Sequence, residues 1–237
     1  MLYLFSYAHP DDESYGAAGT IAALTKRGDE VIVVSATDGS AGEITFAAQD
    51  KLSALGSLGA LRKLEFKEAV LLLGAQPIVL DFKDGEITNQ QVWSYLTDKY
   101  ISLIEYYKPD VVITFDHSGW YFHLDHIAVS IAMTRAFNGA NHQPKALLFN
   151  MLRSFNTNPK WKYVFPNNYP ITHNVDIAEL VELKLSAIKC HLSQELWLDY
   201  IKDLTIKENL IEEYQLIRPS RYAQELFSHH PIFKALP

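Results

Sequence analysis

The chain has 237 residues, 48% of them hydrophobic and 21% charged, which suits one soluble α/β domain with a full core rather than a disordered or fibrous chain. The formal net charge is −7 and no basic block stands out, which argues against DNA or RNA as a partner. The single cysteine, Cys190, excludes an internal disulfide framework and a cysteine-based zinc site, so any metal must be held by His, Asp and Glu.

Strand and helix signals alternate along the chain. Residues 2–8 form a short apolar run without a basic flank, too short for a membrane span, and read as a buried first strand rather than a signal peptide. No other run reaches membrane length, so the expectation is a cytoplasmic protein with no membrane partner. Residues 11–27 read as a helix, with acids at its start and Lys26-Arg27 then Gly28 at its end. Val31-Ile32-Val33-Val34 is a β-branched run of the kind buried on both faces of a sheet. Residues 52–73 have helical periodicity and stop at Gly74. Residues 78–80 make a short strand, and residues 90–107 a helix ending before Pro109. Residues 111–115 are a further strand. A helix starts near His123 and ends near Gly139, and residues 146–149 look extended.

The last third is less regular. Residues 161–165 and 171–175 read as strands, and residues 176–191 and 200–216 as helices. His229-His230 reads as exposed tail. Strands alternating with crossover helices predict a Rossmann-like three-layer α/β fold with a mostly parallel central sheet, as a single domain over residues 1–237. Ligands of such folds sit beyond the carboxyl ends of the strands.

Two polar clusters fall there. His9-Pro10-Asp11-Asp12-Glu13 follows the first strand and opens a helix. Acids at a helix start are explained by capping and the helix dipole. That does not account for a histidine at the strand end followed by two carboxylates. His9 and Asp12 are three apart and can face one centre at a strand–helix turn, and imidazole plus carboxylate is an ordinary zinc pair. His123-Leu124-Asp125-His126 follows the strand 111–115, with both histidines on one face of a helix start. Alone, that pattern fits a plain helix start. Together the two clusters can complete three ligands with one open position, the catalytic rather than structural arrangement.

Ala8-His9-Pro10-Asp11-Asp12-Glu13 with the later His123-x-Asp125-His126 resembles the LmbE-like, or PIG-L, family of zinc-dependent de-N-acetylases. Thr37-x-Gly39-x-x-Gly42, Arg62-x-x-Glu65, Leu73-Gly74, Lys184 and His191-x-Ser193-Gln194 extend the likeness in order over about residues 2–195. Residues beyond about 195 match nothing in it. The resemblance implies that His9, Asp12 and His126 hold Zn2+, with Fe2+ compatible with the same donors. It implies Asp11 as general base, and His123 as the group that stabilises or protonates at the reacting centre, supported by Asp125. Tyr121 would approach the oxyanion and Arg62 would contact substrate. The implied reaction removes an N-acetyl group from an N-acetylglucosamine-like amino sugar or its conjugate; a homo-oligomer is left open. Alternatives are another N-acyl substrate, such as a thiol conjugate or an antibiotic precursor, or a binding protein with a structural metal. The sequence departs from the family at Phe122 and Leu124, where Gly and Pro are usual, so the stretch Trp120-Tyr121-Phe122 is bulkier. Those rings are either core or a stacking face for a sugar. Gly16-Ala17-Ala18-Gly19 does not make a dinucleotide fingerprint.

Overall fold

The structure is a computed structural model that describes residues 1–152, 170–194, 210–217 and 221–236. Its strands are β1 Leu2–Tyr7, β2 Glu30–Thr37, β3 Gln76–Phe82, β4 Val111–Phe115, β5 Ala146–Met151, β6 His173–Asp176, β7 Ile211–Ile217 and β8 Lys234–Ala235. They form one sheet in the order β3-β2-β1-β4-β5-β7-β6-β8. The pairings from β3 to β5 are parallel. Those joining β5, β7, β6 and β8 are antiparallel. The predicted α/β class with a mostly parallel sheet is therefore found.

The strands at the centre are buried along almost their whole length, as expected of apolar runs covered on both faces. The covering helices are α1 Asp12–Gly16, α2 Ala18–Lys26, α3 Gln49–Leu55, α4 Leu58–Leu72, α5 Gln90–Tyr107, α6 Gly119–Phe122 and α7 Leu124–Gly139, followed by Val181–Cys190 and Arg221–Ser228. On one side α5 packs against α7; on the other α2 and α4 pack against Val181–Cys190. The chain leaves β1 toward β2 and β3, then returns to place β4 on the other side of β1. That reversal opens a crevice at the carboxyl ends of β1 and β4, where an α/β sheet binds its ligands. Among the described residues no helix is long and apolar enough to cross a membrane.

Several boundaries differ from expectation. The helix read over residues 11–27 is two helices, because the chain bends at Ala17. Gly16 lies so close to Asn150 and Trp120 that a Cβ would fall 2.5 Å from Asn150 Oδ1. The helix read over residues 52–73 also breaks: Gly56 takes a φ of 80° and Ser57 caps α4 by accepting from the Ala60 amide at 3.2 Å. The strand expected at residues 161–165 lies outside the described residues.

The largest correction concerns residues 200–216, read as a helix. Residues 200–209 lie outside the described set, but Ile211–Ile217 is a strand between β5 and β6. Glu212, Glu213 and Gln215 favour helix locally, and tertiary pairing overrides that preference. Glu212 turns inward and accepts from the amides of Gly19 and Thr20 at 3.0 and 2.8 Å, closing the start of α2. Lys184 neutralises it at 2.5 Å and also donates to the Tyr15 carbonyl at 2.6 Å. His230 is likewise not exposed tail. It is buried, pairs with the Tyr3 hydroxyl at 2.8 Å, and accepts from the Ile232 and Phe233 amides at Nδ1.

Candidate metal centre and active site

β1 ends at Tyr7, and the next residues turn sharply into α1, so His9 and Asp12 sit at the edge of the sheet. Both oxygens of Asp12 are positioned: Oδ2 accepts from the amides of Ala8 and His9 at 3.2 and 2.8 Å, leaving Oδ1 to face inward. From the adjacent β4, the loop through α6 delivers α7. His123 caps that helix, its Nδ1 accepting from the Asp125 amide, and His126 follows on the inner face.

The donors converge. His9 Nδ1 lies 3.2 Å from His126 Nε2, His126 Nε2 lies 3.3 Å from Asp12 Oδ1, and His9 Nδ1 lies 3.6 Å from Asp12 Oδ2. Ligands bound at about 2.0–2.1 Å in a tetrahedron are separated by about 3.3–3.4 Å, so these three side chains, with Asp12 meeting His126 through Oδ1 and His9 through Oδ2, lie at spacings close to those of ligands that share a zinc ion. Its electrostatics agree. Burial works against charging His9, yet Asp12, Asp125 and Asp84 raise its ring well above the usual histidine range. These side chains concentrate negative charge where two imidazoles meet, so the residues present fit a divalent cation. His123 brings a ring nitrogen within 4.8 Å of those of His9 and His126, close enough to be an alternative ligand.

The far side of His9 is held as firmly. Its Nε2 meets Asp84 Oδ1 at 3.1 Å and Asp125 Oδ2 at 3.3 Å, so a proton on Nε2 leaves Nδ1 as the donor to a metal. Asp125 was expected to support His123; instead its carboxylate meets His9 and the Gly85 amide, the latter at 2.9 Å. His126 is held by stacking: its ring lies 4.1 Å from Phe115 and 4.6 Å from His123.

Asp11 stands beside this triangle with a φ of 134° and a ψ of −26°. That region costs a residue with a Cβ on the order of 1–3 kcal/mol, and such strain collects at functional sites. Arg62 reaches over from α4, donating to the carbonyls of Pro10 and Gly39 at 2.6 and 3.0 Å and lying 3.1 Å from Asp11 Oδ2. Desolvation pushes the Asp11 carboxyl up to about 6, with Arg62 pulling it down and Asp12 pushing it up. Burial, reinforced by the neighbouring His126 and His9, keeps His123 neutral, with its pKa lowered to about 4. Since Nδ1 of His123 accepts a backbone proton, the neutral ring carries its own proton on Nε2.

These groups face a cavity of about 670 Å3, the size of a small-molecule site, with Asp11, Arg62, Asp84, Tyr121, His123 and Gln194 on its walls. Tyr121 lies with its ring 5.3 Å from that of His126. Trp120 is core, its indole N–H donating to the Asn150 carbonyl at 2.9 Å, whereas Phe122 is half exposed. Both adopt positive φ, 63° and 62°, in the loop that carries Tyr121 to the cavity. Arg62, expected as a substrate contact, reaches the cavity wall with its guanidinium already tied to Asp11 and to two carbonyls.

One contributor is absent from the sequence reading, and another stands in it without a role. Asp84 was not singled out, although it follows β3 in a Lys83-Asp84-Gly85 turn at the same edge of the sheet as the two motifs. His191, whose role was open, is buried against Glu13 Oε1 at 2.9 Å, 178 positions away.

Comparison with known proteins bears on the family and the fold. The PIG-L family, described as GlcNAc-PI de-N-acetylase, matches residues 4–137, more than half of the chain and the span that contains His9, Asp12 and His126. The 1D-myo-inositol 2-acetamido-2-deoxy-alpha-D-glucopyranoside deacetylase of Mycobacterium sp. (strain KMS) is 28% identical over 225 residues, covering 81% of this chain and 73% of that one. Among solved structures, N,N'-diacetylchitobiose deacetylase from Pyrococcus horikoshii aligns with a TM-score of 0.65 at 24% identity, over 91% of this chain and 83% of that one. The 4-carboxy-2-hydroxymuconate hydratase GalB from Pseudomonas putida KT2440 aligns with a TM-score of 0.68 at 20% identity, over 92% and 97%. A hydratase on the same fold means that the fold alone does not name the reaction. The sequence match is what decides membership: the chain belongs to the PIG-L family of de-N-acetylases.

Proposed function

We propose that this protein is a metal-dependent N-deacetylase, with zinc as the simplest ion, acting on an N-acetylglucosamine-like sugar or a small conjugate of one. The observation that carries the reading is the donor triangle of His9, Asp12 and His126 with a further, strained carboxylate, Asp11, at its side. A metal kept only for structure has no use for Asp11. The names of the relatives support an amino-sugar substrate.

A divalent ion held by His9, Asp12 and His126 supplies Lewis acidity toward an amide carbonyl and toward water. Asp11 accepts the proton of the attacking water, a role suited to a carboxylate whose pKa lies near 6. Arg62 orients that carboxylate through the contact at Oδ2. His123 presents its Nε2–H to the charge that develops on the carbonyl oxygen or to the departing amine, and the Tyr121 hydroxyl approaches the same oxygen. Asp84, with one oxygen on His9 and the other accepting from the Ala41 amide, ties two loops of the cavity wall together. The products are acetate and a free amine.

The test is acetate release from a panel of N-acetylated sugars and sugar conjugates, with and without a chelator. Acetate from an N-acetylglucosamine conjugate, lost on chelation and restored by zinc, is the expected result. Turnover that persists after the metal is stripped would remove the metal from the reaction.

A further inference from the structure

We propose that His191 and Glu13 are positioning residues that clamp Asp11 in its strained, reactive conformation, so that a segment 178 positions along the chain from Glu13 is part of the working site. The inference rests on the assignment of Asp11 as the base.

Glu13 is fully buried, and each of its oxygens has a task. Oε2 accepts from the Asp11 amide at 3.1 Å; Oε1 accepts from Ser14 Oγ at 2.7 Å and meets His191 Nε2 at 2.9 Å. An amide at a φ of 134° points away from the normal helix-start direction, so it needs an acceptor placed for it. The Glu13 carboxylate is that acceptor, and a buried carboxylate is held in place only by hydrogen-bond partners of its own, here Ser14 Oγ and a ring nitrogen on its far side. His191 supplies that nitrogen.

The position of His191 is itself determined from two other places. Two residues on, Ser193 donates to Glu65 of α4 through its amide at 2.9 Å and its hydroxyl at 2.5 Å, and its carbonyl accepts from the Thr45 amide at 3.0 Å. The same α4 carries Arg62, which grips the Pro10 carbonyl and the Asp11 side chain. Asp11 is thus held at its amide by Glu13 and His191 and at its carboxylate by Arg62. Both lines of contact end on one helix. Packing alone does not call for this arrangement: an apolar residue at position 13 would bury as well but would leave the Asp11 amide without its acceptor.

The matched pair His191→Met and His191→Gln tests this on the full metal-loaded chain. The two side chains have nearly the same volume, and only glutamine can donate to Glu13. Three quantities are read: kcat and KM for acetate release, metal content, and exchange of the Asp11 amide proton by NMR. In H191M the Asp11 amide exchanges at least about tenfold faster than in the parent, metal content is unchanged, and kcat falls about 10–100-fold with KM within about threefold, as for loss of an outer contact to a metal site. H191Q restores most of both. An Asp11 amide as protected in H191M as in the parent overturns the proposal. So does an H191Q protein as impaired as H191M with its metal gone, which would make His191 a residue of the fold alone. If H191M does not fold, H191Q decides: a folded chain with a protected amide and near-parental kcat supports the clamp, and one with an unprotected amide overturns it. A parent chain that releases no acetate sinks the deacetylase reading and not the clamp, because amide exchange is read without substrate.

Discussion

The parallel strands β3 to β5 and the antiparallel strands β7, β6 and β8 belong to one sheet but are specified differently. β1, β4 and β5 are apolar runs buried along nearly their whole length, and packing holds them. β7 carries a buried acid, Glu212, whose partners Lys184, Gly19 and Thr20 come from two other elements. His230, after the helix Arg221–Ser228, is buried on Tyr3 in the same manner. The parallel region therefore has polarity to spare at its loops, where the reactive groups stand. The antiparallel region spends its polar groups on its own assembly. Substitutions at the loops should cost activity, and substitutions in the antiparallel region should cost stability.

The largest effect is expected at the metal triangle. His126→Ala should lower acetate release at least about a thousandfold and abolish metal binding, because it deletes one of the three proposed ligands. Its far-ultraviolet circular dichroism should stay that of the parent. Asp11→Asn should lower kcat by about 10²–10⁴ and keep the ion, since it removes only the base. An H126A chain that binds metal as the parent does would break the comparison at its first limb.

Lys184→Met probes the other region. It leaves Glu212 buried without its cation, which costs about 3–5 kcal/mol. Urea unfolding should show that loss, with turnover per folded molecule unchanged. Adding Glu212→Gln should recover part of it, and a Lys184 single variant as stable as the parent would show that packing rather than charge pairing holds β7.

A smaller effect is expected from Gly16→Ala, whose new methyl would sit 2.5 Å from Asn150 Oδ1 and 2.6 Å from the Trp120 ring. Overpacking of this kind costs about 1–3 kcal/mol. It should appear as a lower melting temperature.

The smallest concerns pH. Burial, assisted by Arg27, holds His230 down at about 4, below the about 6.5 of an unfolded histidine. The fold therefore prefers the neutral ring. Its contribution is whole above pH 6.5 and is lost as the pH falls through 4. His230→Gln should flatten the fall in stability across that window while lowering stability at neutral pH by about 1 kcal/mol, the worth of the Tyr3 hydrogen bond. His173, also held down by burial, should leave a residual slope. Identical acid limbs for H230Q and the parent would remove His230 from the account.

The same division governs how far the sequence could be read. Residues 111–115 and 90–107 were placed to the residue, because a buried parallel strand and a helix capped at Asn89 state their class locally. The breaks at Ala17 and Gly56 were passed over, since hydrophobic period continues across both. β7 was misread because Ile211-Glu212-Glu213-Tyr214 carries helix-favouring acids whose partners lie about 30 and 190 positions away. At the site, the two motifs were legible because each packs several reactive side chains into a few residues. Asp84 was not, being a single residue whose meaning appears only when the sheet edge brings it to His9, and His191, visible within His191-x-Ser193-Gln194, gains a role only when the fold brings it to Glu13.

The most direct test is diffraction at the zinc absorption edge from crystals of the protein as purified. A single anomalous peak is predicted about 2.0–2.1 Å from His9 Nδ1, His126 Nε2 and an oxygen of Asp12, with Asp11 outside bonding distance. A peak instead among His9 Nε2, Asp84 and Asp125, a different set of side chains at this edge that could hold an ion, would contradict it.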